Sequence, residues 1–275
     1  MALAAIMVHV DFDEEAADRI AVAAGLAQRF NALLIGVAGW PLRKGGAAEH
    51  SAVEFPSVEE ARREKITEQF DRLGEKFRRS AGANPRGVEW RSSAHFPREV
   101  IAREARAADL IVIGREALPG DLYHTFDPGA VILVSGRPVL VVPRGMRRLQ
   151  ASRVLIAWKD TREARRAVGD ALPFLKEAQC VIIAQLSPQG MEESAREQVA
   201  DVAAHLARHQ VAVSGQIATA ATEPEGHVLL RLAKEQDADL IVAGAYGRSR
   251  LSEWIFGGVT RHLLMTSKIP VLFSN

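Results

Sequence analysis

Residues 108–114 read ADLIVIG, and residues 238–244 read ADLIVAG. Each is an unbroken apolar run entered through Ala-Asp and closed by a glycine, Gly114 or Gly244. A strand buried on both faces has no polar side to display, so both runs are read as central strands of parallel sheets. The recurrence extends in both directions. Downstream, Arg137-Pro138-Val139-Leu140-Val141 answers to Ile269-Pro270-Val271-Leu272-Phe273; upstream, Phe96-Pro97-Arg98-Glu99 answers to Glu223-Pro224-Glu225-Gly226, each before an amphipathic stretch. Segments recurring in the same order mark two copies of one unit, and a gene duplication explains this better than chance.

Around these segments, each half alternates short apolar runs with longer stretches of helical period, the pattern of a parallel sheet with crossover helices. Strands are expected near 5–10, 33–38, 87–92, 109–114 and 138–142, then near 153–158, 180–186, 211–217, 239–243 and 270–274. Ala16 to Phe30 is amphipathic, and Ser57 with Glu60 is expected to form a capping box for a charged helix reaching about Ser80. The expected domains are 1–147 and 152–275, joined through the basic stretch from Arg144 to Arg153. Gly39 to Pro56 has no clear period and is longer than a usual connection, so a surface loop is expected there.

Composition narrows the classes of function. With 48% hydrophobic and 25% charged residues in a 275-residue chain, each half has enough apolar material for a core. The formal charge of +1 provides no broad footprint for nucleic acid or an anionic membrane. No span approaches the roughly 20 apolar residues of a membrane helix, and the N-terminus lacks a basic leader region, so the cytoplasm is the expected compartment. The single cysteine, Cys180, rules out an internal disulfide and is expected to be a buried small hydrophobe. His205 and His209 come nearest to a metal pair among the eight histidines, but a helix end near them favours surface or capping roles. There is no GxSxG, HExxH or Walker lysine motif. The mixed charges of residues 59–65 read as a solvated helix face.

One segment carries chemistry. After the strand ending at Gly244 comes GAYGRSRLSEWIFGGVTRHLL, in which Gly244 and Gly247 form GxxG and Gly257 follows after nine intervening residues. In open α/β sheets, ligands sit beyond the carboxyl ends of the strands where the strand order reverses. Glycines there let backbone N–H groups approach an anion, and a following helix adds unpaired donors and the positive end of its dipole. Arg248 and Arg250 are candidates to neutralise phosphate charge. The same glycines also suit a tight strand-to-helix connection without a ligand. Trp254 and Phe256 read as packing residues or as an apolar wall of the pocket.

Both copies resemble the universal stress protein family over nearly all of the chain, most specifically from Ala238 to Leu264. Its ATP-binding members carry GxxG, nine residues, G, then Ser or Thr. The resemblance implies two tandem doubly wound, open, parallel five-stranded sheets flanked by helices, Rossmann-like and similar to the adenine nucleotide α-hydrolases, paired through their last edge strands. Val139–Val142 and Val271–Phe273 are then expected to meet. It implies an adenine nucleotide, ATP with or without Mg²⁺, and adds Ala157, Lys159, Asp160, Gly258, Val259 and Thr260 to the candidate binding residues. Two departures stand out: Gly258 occupies the Ser/Thr position, with Thr260 two residues on, and Lys159 occupies the family's aspartate position, with Asp160 next to it.

In the first half, Ala117 replaces the second glycine and Asp127 the third, and Pro128 follows. Asp-Pro suits an N-cap and first helical residue, and with Glu116 and Asp121 it makes the neighbourhood hostile to phosphate. The family's first-strand aspartate survives there as Asp11, expected to cap the following helix. The leading expectation is a stress protein whose second half holds an adenine nucleotide and whose first half is structural. The rival is a scaffold or protein-interaction module that binds no nucleotide. Slow ATP hydrolysis is a third reading, although no residue has the position of a general base. Further dimerisation of the whole unit is left open.

Overall fold

The computed structural model describes residues 3–41, 56–115, 126–219, 223–247 and 258–275. The first half runs β1 (Ala5–His9), α1 (Ala16–Arg29), β2 (Leu33–Gly39), α2 (Pro56–Ala81), β3 (Val88–Ser93), α3 (Pro97–Glu104), β4 (Leu110–Gly114), α4 (Pro128–Val134) and β5 (Val139–Val142). The second runs β6 (Arg153–Trp158), α5 (Arg162–Leu175), β7 (Cys180–Ser187), α6 (Glu192–Arg208), β8 (Val213–Thr219), α7 (Glu225–Glu235), β9 (Leu240–Gly244), α8 (Gly258–Thr266) and β10 (Val271–Ser274). The continuous apolar runs form the central strands: every residue of β4, β5 and β10 is buried.

The five strands of each half join through β5 and β10 into one ten-stranded sheet, in the order β3-β2-β1-β4-β5-β10-β9-β6-β7-β8. All neighbours are parallel except the central pair, where Val271, Leu272 and Phe273 of β10 lie antiparallel to Val141, Leu140 and Val139 of β5. The last strand of each half is apolar on both faces, and alone it would leave a hydrophobic edge; mutual pairing removes that edge. The outer strand β3, VEWRSS, has no fully buried residue. Helices cover both faces: one core cluster unites α1, α2, α5 and α6 with the sheet, and the other unites α3, α4, α7 and α8 with it.

Repeated local devices hold the two halves. The aspartate of each ADLIV segment ties the fourth strand to the start of the first. Asp109 Oδ2 accepts from the backbone N–H groups of Ala4 at 2.8 Å and Ala5 at 3.0 Å. Asp239 accepts from those of Ser152 at 2.9 Å and Arg153 at 2.8 Å. Ser135 and Ser267, each three residues before the proline that precedes a last strand, close equivalent turns by donating to the carbonyls of Arg137 and Ile269. The basic junction is pinned to α1: Arg144 pairs with Glu15 at 3.4 Å and Arg147 with Asp18 at 3.2 Å, while Leu149 and Ala151 are buried in the core.

Two local expectations change. The helix expected to start at Ser57 is already under way at Pro56, whose missing N–H costs nothing in a first turn, so Ser57 is not the cap. Cys180 begins β7 at a half-buried position instead of inside the core, because the apolar run it heads only becomes enclosed from Val181 onwards. Most of the long segment between Gly39 and Pro56 lies outside the described residues. His205 and His209 make an edge contact at 4.9 Å near the end of α6, and no group of three or more metal-binding side chains occurs among the described residues.

Asp109→Ala or Asp239→Ala deprives two backbone donors of a charged acceptor. Each is expected to lower the unfolding free energy by about 2 kcal/mol, read as a lower urea midpoint, with the asparagine variants falling between alanine and wild type.

Candidate functional site

In each half the chain moves outward through three strands and then returns to the other side of the first. The crevices where the order reverses therefore lie between the carboxyl ends of β1 and β4 and of β6 and β9. The two crevices are furnished differently.

In the first half, Arg19 of α1 reaches across the end of β4. Its Nε donates to the His9 carbonyl at 2.9 Å, and its Nη2 lies 2.9 Å from Asp11 Oδ2. A Cβ added to Gly114 would come within 2.4 Å of Arg19 Nη1, so glycine is what admits the guanidinium. The buried His9 ring stacks on Phe126 at 4.4 Å. Burial pushes its pKa down to about 4, with Arg19 adding to the effect and Asp11 opposing it. Burial would raise the Asp11 pKa, but Arg19, His9 and the Asp13 N–H together hold the carboxyl below its usual range. Asp11 is thus an ion-pair partner inside the crevice and not the expected helix cap. The N-cap of α1 is Glu15, four residues beyond Asp11 and without a side-chain capping bond. Lys76 from α2 donates to the Asp13 carbonyl at 2.6 Å. Asp127 does cap α4, accepting from Gly129 N–H at 2.9 Å with Pro128 in the first turn. The first crevice is filled by its own side chains.

In the second half the residue matching Arg19 is the buried Ala167, so α5 sends no guanidinium across the crevice from that position. The strand end packs on backbone instead: a Cβ on Gly244 would meet Ala164 N at 2.5 Å, at the start of α5. Thr161 caps that helix, its Oγ1 accepting from Ala164 N–H at 3.3 Å. Tyr246 then takes φ +58°, a left-handed conformation uncommon outside glycine, and turns the chain into Gly247. Among the described residues, a Cβ on Gly247 would approach nothing closer than Glu163 Oε2 at 3.6 Å.

Of the candidate residues, Ala157, Gly244 and Gly247 therefore lie together at the carboxyl ends of β6 and β9. Lys159 and Asp160 follow β6 at exposed positions, and Asp160 pairs with Arg165. Gly258, Val259 and Thr260 form the first turn of α8, with Thr260 buried and Gly258 exposed. Arg248, Arg250 and Gly257, with Trp254, Phe256, Glu116 and Asp121, lie outside the described residues.

Three residues at this end of the sheet were not singled out from sequence. Glu163 is 2% exposed; its Oε1 accepts from Arg162, and its Oε2, facing Gly247, has no hydrogen-bond partner among the described residues. Burial works to raise its pKa, but the Arg162 contact, its own N–H and the Thr161 hydroxyl prevail and hold it below the ordinary value, so the carboxylate is charged. The buried Trp158 Nε1 and Gln185 Oε1, on residues paired in register across β6 and β7, likewise lack partners among the described residues. A first-turn glutamate and a tryptophan between Ala157 and Lys159 were visible signals. Gln185 had none, because it interrupts an apolar strand without altering its period.

An open sheet, parallel within each half, with a glycine-framed turn at its switch point defines a Rossmann-like α/β protein. Residues 151–274 match the sequence model of the Universal stress protein family, and this half of the chain belongs to that family. The first half has the same strand order. A universal stress protein from Archaeoglobus fulgidus is similar over 98% of both chains, with a TM-score of 0.73 and 16% identity. A functionally unknown protein from Pseudomonas aeruginosa PAO1 is similar over 99% of this chain and 92% of its own, with a TM-score of 0.56 and 16% identity. At these identities the likeness concerns the fold. No curated protein matches the sequence.

The buried His9 supplies a pH test. In the folded protein it stays neutral down to about pH 4, whereas the unfolded chain takes up its proton near the ordinary value of 6.5. Between these values the unfolded state binds the extra proton, so the stability present above pH 6.5 is lost as pH falls towards 4. Urea unfolding at pH 4.5–7 is expected to show a slope of up to about 1.4 kcal/mol per pH unit from this group, which His9→Leu removes.

Proposed function

We propose that the second half binds an adenine nucleotide, ATP with or without Mg²⁺, in the crevice between β6 and β9, and that the first half, residues 1–147, is its structural partner. The observation carrying this reading is the contrast between the crevices: Arg19 fills one beside Gly114, while in the other no described residue crowds Gly247. Gly244, Gly247 and Gly257 supply the glycine frame, and Arg248, Arg250 and the first turn of α8 (Gly258, Val259, Thr260) supply positive charge and donors. Ala157, Lys159 and Asp160 border the base and sugar side. Trp158 Nε1 and Gln185 Oε1 offer a donor and an acceptor to a polar ligand edge.

A specific observation favours the rival scaffold reading: the charged Glu163 carboxylate stands beside Gly247, where it repels phosphate. On the nucleotide reading, a divalent cation or a counter-ion offsets that repulsion.

Calorimetric titration with ATP, in Mg²⁺ and in EDTA, tests the reading together with mass spectrometry for co-purified nucleotide. Saturable binding is expected. Gly247→Val, whose Cβ is crowded by no described residue, is expected to fold normally and lose binding; survival of binding moves the site elsewhere, and absence of heat and of thermal stabilisation in the wild type selects the scaffold. Glu163→Gln is expected to tighten binding in EDTA several-fold and to shrink the benefit of Mg²⁺, measured in the same titration.

A further inference from the structure

The antiparallel junction brings the carboxyl end of β4 towards the second half. β4 lies beside β5, and β5 runs against β10, so the residue that follows Gly114 emerges level with the start of β10, where α8 ends. That residue is Arg115. Its Nη1 donates to the Ser267 carbonyl at 2.7 Å, across 152 positions of sequence. Ser267 closes α8: its N–H bonds to the Leu263 carbonyl at 3.1 Å, and the residue is buried. The last carbonyls of a helix lack intrahelical donors and carry the negative end of its dipole, so a guanidinium there is a well-matched charged donor.

The second half does not return the contact from the matching position. Gly244 closes β9 as Gly114 closes β4, but the next residue is the buried Ala245, whose methyl group has nothing to donate to Ser135, the counterpart of Ser267 at the end of α4. Along its length α8 is also held by α7. A Cβ on Gly226 would come within 2.7 Å of the His262 ring, so glycine admits that ring, which stacks on His227 at 4.2 Å. With nine residues, α8 is about 14 Å long. A helix this short moves as one piece, so a hold on its last turn constrains its first.

We propose that Arg115 is a positioning residue for the second crevice: the first half grips α8 by its last turn and so keeps the backbone donors of Gly258, Val259 and Thr260 in place for the ligand. This role rests on the nucleotide reading above and gives the first half a definite task within it. Without the grip, α8 pivots on its contact with α7, and ordering its first turn again opposes binding. By linkage, a ligand held at the start of α8 tightens the Arg115 contact at its end.

Amide hydrogen exchange and titration with ATP are compared in the full-length wild type, Arg115→Met and Arg115→Lys. In Arg115→Met the amides of residues 262–267 are expected to exchange about tenfold faster while those of α3 and α4 keep their rates, and ATP is expected to bind about five- to tenfold more weakly. Arg115→Lys returns the charge and is expected to recover most of both losses. In the wild type, ATP is expected to slow exchange in the last turn of α8 and to move the Arg115 Nε–Hε resonance, a measurement that decides the matter if Arg115→Met fails to fold. Unchanged exchange in α8, equal acceleration throughout the sheet, no recovery with lysine, or an Arg115 resonance indifferent to bound ATP overturns the proposal. Absence of ATP binding in the wild type sinks the nucleotide reading and this role together, whereas wild-type binding matched by Arg115→Met sinks the role of Arg115 alone.

Discussion

The antiparallel pairing of β5 with β10 is the constraint on which the molecule depends. Every residue of both strands is buried, so neither can stand at a sheet edge without exposing apolar side chains and unpaired backbone groups to water. Pairing them satisfies both requirements at once and makes one sheet of two. Polar strands are then left outermost, where β3 tolerates solvent. The direction of pairing also sets the crevices on opposite sides of the junction, because β1 and β4 run antiparallel to β6 and β9.

From this arrangement the halves diverge through a few side chains at equivalent points. Arg19 against Ala167 decides whether the first helix of each half sends a guanidinium across its crevice. Asp127 in the first half caps α4 and brings a carboxylate to the helix start, where a phosphate would otherwise find donors. Arg19, buried, pairs with the half-buried Asp11 and donates to the His9 carbonyl there, while His9 Nδ1 has no hydrogen-bond partner among the described residues. In the second half, polar atoms of Glu163, Trp158 and Gln185 have no hydrogen-bond partner among the described residues at the strand ends, which is where ligands are met in open α/β sheets.

The linker shows the same economy. Having left β5, it runs back along α1, held by ion pairs at its rim and by Leu149 and Ala151 within the core. The exposed ion pairs add little, about 0–1 kcal/mol each; burial of the apolar residues does more to fix the path. The matching face of α5 carries the opposite charge at Arg166, so descent from one unit did not preserve one surface.

The sequence by itself determined the strand order of events: ADLIVIG and ADLIVAG, with their flanking helices, are legible because burial on both faces forces continuous apolar runs and helix period follows one-sided burial. It also determined the glycine frame at Gly244 and Gly247 and the Asp127-Pro128 helix start, since backbone geometry restricts residue type locally. Only the tertiary structure decided the roles of Asp11, Arg19 and Glu163. Asp11 reads as a cap from its neighbours, yet its partner lies a helical turn into α1 and above another strand. Arg19 reads as a polar residue on an amphipathic helix, but packing turns it inwards over Gly114. Glu163 is an ordinary first-turn acid until β9 comes to rest on it. Long-range contacts such as these depend on which strands become neighbours, and residue type constrains that far less than it constrains the local backbone.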